Sequence, residues 1–432
     1  MTPAESLAYL YGLQQFGIKL GLQNVRELLG RLGNPQAGLP CVHVAGTNGK
    51  GSVSVLLAEI LRHAGYRVGL YTSPHLHCFS ERIRIDGEPL PLDRLPALVE
   101  AIRVAGANLP ATFFEATTAL ALLAFRAASV DVVVLETGMG GRLDATNVVD
   151  PVLCLITPVS LDHQEHLGTT LAAIAAEKAG IIKAGVSVVS GVQADESAAV
   201  LSATAAACRA PLWQAGRDYT WGGDHAALWF RAPGVELQGL SCALAGSHQL
   251  DNYAQALAGA ACLRQSGWPL ADAALRQAGT TARWPGRLEW WGEPPLVLLD
   301  GAHNTAGATA LARYLAEQVR RPVRLVAGLS GQRHPAEVLA PLAHQVRTLY
   351  AAPVPAGAGV APSLLADWAL ARGLPARSCA TVAEALAAAL SERDGDDVVV
   401  VAGSLYLVAA VRALLRDKPG LVAQAGQGAL NV

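Results

Sequence analysis

The feature that most constrains the fold is a glycine-rich turn between a short apolar strand and a helical stretch. Residues 41–45 have the sequence CVHVA, typical of a buried strand, and residues 53–61 repeat apolar side chains with a helical period. Between them lies GTNGKGS at residues 46–52. In such a turn the backbone N–H groups point into one concavity, the helix N-terminus adds partial positive charge, and Lys50 can reach outer phosphates. The sequence therefore predicts a phosphate-binding loop. In the common phosphate-loop pattern the lysine is followed directly by Ser or Thr, whereas here Gly51 separates Lys50 from Ser52. A glycine-rich turn that binds no ligand is therefore the alternative interpretation.

Composition excludes several other classes of protein. A length of 432 residues predicts two or three domains, and a net charge of −2 gives no electrostatic reason to bind nucleic acid or an anionic membrane. The seven cysteines are scattered and never spaced C-x-x-C, which argues against a disulfide framework or a zinc site and for a reducing compartment. The N-terminus has no basic start, and no stretch is typical of a membrane-spanning helix. We therefore predict a soluble, cytoplasmic protein.

Apolar runs typical of strands alternate with helical stretches in both halves of the chain, which predicts α/β architecture with parallel sheets. The predicted strands are residues 66–73, 131–136, 151–159, 187–190, 296–300, 324–329, 349–352 and 398–402. Residues 210–245, rich in aromatic residues and glycine, predict a small β appendage. We assign residues 1–284 to a P-loop, parallel-sheet ATP-binding domain and residues 285–432 to a smaller Rossmann-like domain. Ligands bind at the carboxyl ends of such strands, so Gly46, Ser73 and Glu136 are expected at one edge.

Three further positions each have two interpretations. Glu136 ends an apolar strand and is either a Mg²⁺ ligand or an acid that faces water. His163 lies in SLDHQEHLG at residues 160–168, a stretch too tight for an ordinary zinc site and equally consistent with a helix-capping turn. Lys178 lies in an alanine-rich helix. Burial would lower its pKa and make it a nucleophile toward CO₂, but a cation at a helix end is the simpler alternative.

Six segments in chain order form one pattern. They are GTNGKGS at residues 46–52, TSPHL at 72–76, FFEA at 113–116, ETGMGGRLDATN at 136–147, EKAGI at 177–181 and DGAHN at 300–304. This pattern resembles the folylpolyglutamate synthase/dihydrofolate synthase family of the Mur-ligase superfamily over nearly the whole chain, including the extra Gly51. The resemblance implies an ATP-dependent ligase. A carboxylate of dihydropteroate or of a folate is phosphorylated by Mg-ATP, and the amine of L-glutamate then displaces the phosphate.

The resemblance also implies the role of each matching residue. The catalytic residues would be Lys50, Glu136, His163 and Lys178. The metal ligands would be Ser73, Glu136, His163 and, as a carbamate, Lys178. The nucleotide contacts would be Gly46, Thr47, Asn48, Gly49, Lys50, Gly51, Ser52, Asn252, Arg287 and Asp300. The acceptor and glutamate contacts would be Leu22, Gln23, Asn24, Val25, Phe114, Glu115, Ala116, Thr117, Arg142, Leu143, Asp144, His303 and Ser404.

The implied cofactors are ATP and Mg²⁺ at two sites, with a monovalent cation left open. The implied partners are the small-molecule substrates dihydropteroate, folates and L-glutamate. We expect a monomer that binds neither nucleic acid nor a membrane. A cell-wall amino-acid ligase of the same superfamily is one alternative, but it would need a further domain before the loop, where only about 45 residues lie. A nucleotide-dependent switch is another, although the guanine-specific N-K-x-D element is absent. The residues alone do not decide between the two folate acceptors.

Overall fold

The computed structural model describes residues 1–17, 19–331, 333–355 and 359–418. The chain divides into two compact units. Unit 1 comprises Met1–Ala243 and Gln249–Arg283, and unit 2 comprises Leu244–His248 and the residues from Trp284 onward. The predicted domain boundary assigned residues 244–248 to the first domain, and this differs from the division in the structure. The reason is packing, because Ala245 lies against the core of unit 2 and Leu288 lies directly beside Gly246.

The main sheet of unit 1 is built around the strand that precedes the phosphate loop. Its strands are β1 (Cys41–Ala45), β2 (Val68–Tyr71), β3 (Ile83–Ile85), β4 (Glu88–Pro89), β5 (Val132–Glu136), β6 (Pro151–Ile156), β7 (Val188–Ser190) and β8 (Leu212–Gln214). Within the described residues their order is β4-β3-β2-β5-β1-β6-β7-β8. The strands from β2 to β8 in this order are parallel, and β3 and β4 are antiparallel additions. Every residue of β1 and β5 is buried, as expected for strands covered on both faces.

A separate antiparallel sheet forms the predicted appendage. Its strands are β9 (Thr220–Gly222), β10 (Leu228–Ala232) and β11 (Val235–Leu240), in the order β11-β10-β9. The prediction of an appendage over residues 210–245 is confirmed for these strands. It is wrong for β8, which pairs in parallel with β7 in the main sheet. Pairing with β7 satisfies the backbone of β8, and a sequence pattern alone does not reveal which edge a short strand will join.

Helices cover both faces of this sheet. They are α1 (Pro3–Gly12), α2 (Gln23–Arg31), α3 (Lys50–His63), α4 (Leu95–Ala105), α5 (Phe113–Ala127), α6 (Gln164–Leu167), α7 (Leu171–Ala179), α8 (Asp195–Ala207), α9 (Ser247–Gln265) and α10 (Asp272–Thr281). One core includes Leu28, Phe125 and Cys41. A second core under α7 and α8 includes Ile174 and Ala45. Since Cys41 and Ala45 are the two ends of β1, both cores support the strand that leads into the phosphate loop.

Unit 2 contains a smaller parallel sheet. Its strands are β12 (Glu289–Trp291), β13 (Val297–Leu299), β14 (Val323–Ala327), β15 (Val346–Ala351), β16 (Ala376–Ser378) and β17 (Val398–Ala402). In the described part of the chain their order is β12-β13-β17-β14-β15-β16, and only β12 is antiparallel. Its helices are α11 (Thr305–Tyr314), α12 (Ala336–Leu342), α13 (Pro362–Leu370), α14 (Val382–Ser391) and α15 (Leu405–Asp417). Across the described residues of both units, no helix is both long and apolar enough to cross a membrane.

Candidate active site

The phosphate loop connects β1 to α3, and two of its glycines are required by close neighbours. Gly49 precedes the first residue of α3 with φ of 89°, a left-handed conformation that glycine adopts without strain. A Cβ at Gly46 would lie 1.8 Å from Thr157 Oγ1, and a Cβ at Gly49 would lie 2.4 Å from Asn252 Oδ1. The loop therefore packs tightly against its neighbours, and Asn252, a predicted nucleotide contact, lies directly beside it.

Ser160, just beyond β6, fixes the shape of the loop. The Thr47 hydroxyl donates to the Ser160 carbonyl at 3.1 Å and accepts from the Ser160 N–H at 3.1 Å, and Asn48 Nδ2 donates to Ser160 Oγ at 3.3 Å. Lys50 Nζ donates to the Thr47 carbonyl at 3.1 Å. Ser160 is not among the predicted site residues. The sequence feature that could have indicated it is a polar residue just after the strand adjacent to the phosphate-loop strand.

Lys178 is buried beside the same loop. It lies in the last turn of α7 with only 3% of its surface exposed, and its Nζ donates to the Gly46 carbonyl at 2.7 Å. Burial, and to a smaller extent the nearby Lys50, lower the pKa of Lys178 to about 7, although Asp162 and Asp144 oppose the shift. A substantial fraction of this amine is therefore neutral near pH 7, and a neutral amine is a nucleophile.

Two of the predicted metal ligands are in direct contact. Glu136, buried at the end of β5, accepts a hydrogen bond from the Ser73 N–H at 3.0 Å, and the next N–H, of Thr137, donates to the Val44 carbonyl of β1 at 2.9 Å. A carboxylate and a hydroxyl are oxygen donors of the kind that Mg²⁺ prefers, so this pair fits the expected ion.

His163 lies on the turn that leads into α6. Its φ is 49°, its side chain is about two-fifths exposed, and its N–H donates to Asp162 Oδ1 at 2.9 Å. Over the ranges that the structure describes, no three His, Cys, Asp or Glu side chains form a metal cluster. The predicted set differs from such a cluster, because it combines Glu136 and His163 with a serine hydroxyl and a modified lysine.

The predicted acceptor contacts of residues 142–144 are held by their own hydrogen bonds. Arg142 forms an ion pair with Glu177 at 2.6 Å. Asp144 is buried and accepts from the N–H groups of Met139 at 2.8 Å and Thr146 at 3.0 Å, and burial raises the pKa of Asp144. Leu143, half-buried, lies between them in the sequence. These contacts give the turn a fixed shape.

The start of α5 contains four predicted acceptor contacts, and one of them, Phe114, contacts the turn that follows Glu136. A Cβ at Gly138 would lie 2.5 Å from the Phe114 ring, so this ring packs on the turn that follows Glu136. Glu115 accepts from the Thr112 N–H at 2.7 Å as part of a capping box, and Ala116 and Thr117 are fully buried. These contacts favour a structural role for residues 115–117 over the ligand contacts predicted for them.

The start of α2 contains the remaining predicted contacts of unit 1. Leu22 precedes the helix and is half-buried, Gln23 is exposed, and Asn24 Nδ2 donates to the Pro110 carbonyl at 3.2 Å. Val25 is fully buried in the core. Leu22, Gln23 and Asn24 stay predicted ligand contacts, and the full burial of Val25 indicates a packing role.

In unit 2 the predicted residues surround the end of β13. Asp300 accepts from the Leu288 N–H at 3.0 Å and from the Ala302 N–H at 2.9 Å. A Cβ at Gly301 would lie 2.4 Å from Arg287 Nη1, so Arg287 lies across this turn. The Asp300 carboxylate therefore joins the turn to the segment that follows Arg287.

His303 and Ser404 lie on adjacent turns of unit 2, because the Gly403 N–H donates to the Ala302 carbonyl at 2.7 Å. His303 Nδ1–H donates to the Gly301 carbonyl at 2.8 Å. Ser404 Oγ accepts from the Tyr406 N–H at 3.2 Å at the start of α15 and lies 2.7 Å from Ser330 Oγ.

A phosphate loop with a buried lysine and a strand-end carboxylate, followed by a second α/β unit, defines a nucleotide-dependent ligase of the Mur type. Residues 44–260 match the Mur ligase middle domain, and residues 286–405 match the Mur ligase glutamate ligase domain. The chain is 37% identical over 431 residues to the folylpolyglutamate synthase of Lacticaseibacillus casei, covering 96% of this chain and 99% of that protein. It is 36% identical to the dihydrofolate synthase/folylpolyglutamate synthase of Escherichia coli, covering 94% of each.

The structure is similar to that of E. coli FolC in complex with DHPP and ADP, with a TM-score of 0.87 and 33% identity, covering 96% of this chain and 98% of that one. The chain belongs to the folylpolyglutamate synthase/dihydrofolate synthase family of Mur ligases. The predictions of an α/β fold, of this family and of an ATP-dependent amide-forming ligase are thereby confirmed.

Proposed function

We propose that this chain joins L-glutamate to both dihydropteroate and reduced folates, using ATP and Mg²⁺. The observation that supports this most strongly is the environment of the phosphate loop. A buried amine, from Lys178, donates to the Gly46 carbonyl at 2.7 Å in a chain that is 37% identical to a folylpolyglutamate synthase. Similarity to a dihydrofolate synthase/folylpolyglutamate synthase over 94% of the chain supports the use of both acceptors.

The proposed reaction has two bond-forming steps. A carboxylate oxygen of the acceptor attacks the γ-phosphorus of ATP, ADP leaves, and an acyl phosphate forms. The glutamate amine then attacks the acyl carbon, inorganic phosphate leaves, and the amine loses a proton. Phosphoryl transfer depends mainly on positioning and on neutralising charge, and the loop N–H groups and Lys50 supply both. To reach the phosphates, Lys50 Nζ must exchange the Thr47 carbonyl, 3.1 Å away, for a phosphate oxygen.

Mg²⁺ would neutralise charge on the phosphate oxygens. Ser73, Glu136 and His163 would hold one ion, and Lys178 would serve a second as a carbamate. The neutral Lys178 amine would attack the carbon of CO₂, form an N–C bond and lose a proton, which leaves a carboxylate in place of a cation. The pKa of Lys178, lowered to about 7 by burial, supports this chemistry, because a neutral amine is required for the attack.

The remaining assignments stay predictions. We propose that residues 1–284, without 244–248, bind ATP and the acceptor, and that Arg287, Asp300, His303 and Ser404 of the C-terminal domain contact nucleotide or glutamate. The monomeric state and the cytoplasmic location have their support in the sequence alone.

The experiment is a ligase assay with purified protein, Mg-ATP and L-glutamate. Dihydropteroate or tetrahydrofolate is the acceptor, and ADP release and product mass are measured. We expect ADP and a product larger by one glutamyl residue with each acceptor, no product without an acceptor, and loss of activity with EDTA that Mg²⁺ restores. Activity with one acceptor only would restrict the function to one synthase. Activity with neither would contradict the proposal.

A further inference from the structure

An imidazole is buried in the strand that leads into the phosphate loop. His43 lies in the middle of β1, is fully buried, and places Nε2 2.8 Å from Thr146 Oγ1. The Thr146 hydroxyl gives its single hydrogen to Asp144, so the His43 Nε2–H must be the donor to Thr146. Among the residues that the structure describes, His43 Nδ1 has no hydrogen-bond partner, and burial lowers the pKa of His43 to about 3. The ring is therefore neutral and holds a single tautomer.

Asn147, next along the chain, connects the same turn to the end of α7. Its Nδ2 donates to the carbonyls of Arg142 at 3.0 Å and Gly180 at 3.1 Å, and its Oδ1 accepts from Lys183 Nζ at 2.7 Å. The Arg142 N–H donates to the Glu177 carbonyl at 2.7 Å. The turn of residues 141–147 is thus bonded to the residues on both sides of Lys178.

These contacts close a ring. It runs from His43 through Thr146 to the 141–147 turn, and from Asn147 to Gly180, the residue after α7. It then runs from Lys178 Nζ back to the Gly46 carbonyl, three residues beyond His43. A lysine side chain has four rotatable bonds, so the hydrogen bond from Lys178 to Gly46 does not by itself define the position of the amine. The ring supplies the missing constraint, because it fixes the backbone of Lys178 relative to the strand that supports the phosphate loop.

We propose that His43, Thr146 and Asn147 are positioning residues that set where the amine of Lys178 meets the phosphate loop. The catalytic consequence depends on the function proposed above. A displacement of a reacting group by about 1 Å can cost about 10²-fold in rate. If the three residues only stabilised the fold, their loss would lower stability without displacing Lys178.

Thr146→Val removes the hydroxyl with almost no change of shape and tests the ring at its centre. We expect kcat to fall about 10- to 100-fold with the KM for ATP within about threefold of wild type, and Thr146→Ser to restore most of kcat. In a crystal structure of Thr146→Val, we expect Lys178 Nζ to move away from the Gly46 carbonyl, to which it lies 2.7 Å in the native chain.

Tyr219→Phe is the matched control. It removes one buried hydrogen bond in unit 1, from the Tyr219 hydroxyl to the Ser190 carbonyl at 2.9 Å, and lies outside the ring, whereas Thr146→Val removes two. We expect Tyr219→Phe to lower the melting temperature and to leave kcat unchanged. Should Thr146→Val not fold, Asn147→Ser, which shortens the side chain that bonds Arg142 and Gly180, is expected to give the same loss of kcat and the same shift of Lys178.

Three results would overturn the inference: kcat of Thr146→Val within twofold of wild type, an equal loss of kcat in Tyr219→Phe, or an unmoved Lys178 in the variant. The crystallographic distance decides the positioning role even if the wild-type protein is inactive with both acceptors. Failure of the proposed function is therefore distinguishable from failure of this inference.

Discussion

The two units each contain a glycine-containing polar turn at the carboxyl end of a buried parallel strand, but they hold that turn in opposite ways. In unit 1 the turn after β1 is held from outside by Ser160 and Lys178, and within the described part of the chain Lys50 is bonded only to its own loop. In unit 2 the turn after β13 is held by one of its own side chains. Asp300 accepts from two backbone N–H groups, that of Ala302 in the turn and that of Leu288 outside it. A polar residue after a strand can therefore either present a side chain to a ligand or fix the backbone.

The difference matters for mutation. A side chain whose only bond is to its own loop can be removed at little cost in stability, so its loss should appear in catalysis. A buried side chain that satisfies two backbone donors cannot be removed without leaving them unpaired, so its loss should appear in the free energy of unfolding.

The first prediction concerns Lys50→Ala. We expect ADP release to fall about 10²–10³-fold or more, because the loop loses its charge clamp on the phosphates, while the melting temperature stays unchanged. Arg231→Ala, which removes an exposed positive charge on β10 of the same unit, is the control and should keep full activity. A rate within a few-fold of wild type would show that this loop does not hold the reacting phosphate.

The second prediction compares two glycines that flank α3. Gly49 and Gly65 have φ values of 89° and 91°, so alanine strains both backbones equally, but a Cβ at Gly49 meets Asn252 Oδ1 at 2.4 Å and a Cβ at Gly65 meets open space. Asn252 is held by Gln249 at 2.8 Å and cannot move freely. We expect ATP turnover to fall about tenfold or more in Gly49→Ala and to be unchanged in Gly65→Ala. Equal activities in the two variants would mean that the contact with Asn252 is unimportant.

The third prediction tests the opposite behaviour in unit 2. Asp300→Asn places an amide donor where a carboxylate oxygen accepts from a backbone N–H, so we expect the free energy of unfolding to fall by about 1–3 kcal/mol. Urea denaturation followed by fluorescence measures this loss. If stability is unchanged and nucleotide affinity falls instead, Asp300 is mainly a ligand contact and the contrast between the two turns disappears.

The fourth prediction concerns how the free energy of unfolding depends on pH because the Lys178 amine is buried. The pKa of Lys178 is about 7 in the folded chain and close to 10.5 in the unfolded chain. Between these values the unfolded chain binds more protons, so stability rises with pH by up to about 1.4 kcal/mol per unit. Below pH 7 both states are protonated and the dependence vanishes.

Measured without CO₂ and Mg²⁺, wild type should therefore gain stability relative to Lys178→Met as the pH rises from about 7 toward 10. A constant difference between the two proteins over this range would mean that the pKa of Lys178 is not lowered in the folded chain.

The sequence predicted the parts of the site that depend on local pattern. β1 and β17 have the predicted bounds, and α3 begins within the predicted loop. The local pattern could not predict which distant segments pair or pack together. Short strands such as β8 pair according to which edge is available, and residues 244–248 join unit 2 through contacts with residues remote in sequence.

The same limit applied to individual side chains. Glu115 belongs to a segment that resembles the family's acceptor site, yet its carboxylate caps α5. His43 was an unremarked histidine in an apolar run, and only the tertiary structure gave it Thr146 as a partner, 103 positions away. The same polar residue types occur at strand ends and helix starts whether their side chains bind a ligand or the backbone, so the sequence does not distinguish the two roles.

The sequence by itself indicated the family, through the resemblance of six ordered motifs. It also determined the phosphate loop and the alternation of strands and helices, because hydrophobic periodicity and glycine positions act over a few neighbouring residues. Only the tertiary structure decided that Lys178 is buried against Gly46 and that Asp300 bonds two backbone N–H groups. Those outcomes depend on desolvation and on hydrogen-bond partners that are brought together from distant segments, and neither is encoded in a local pattern.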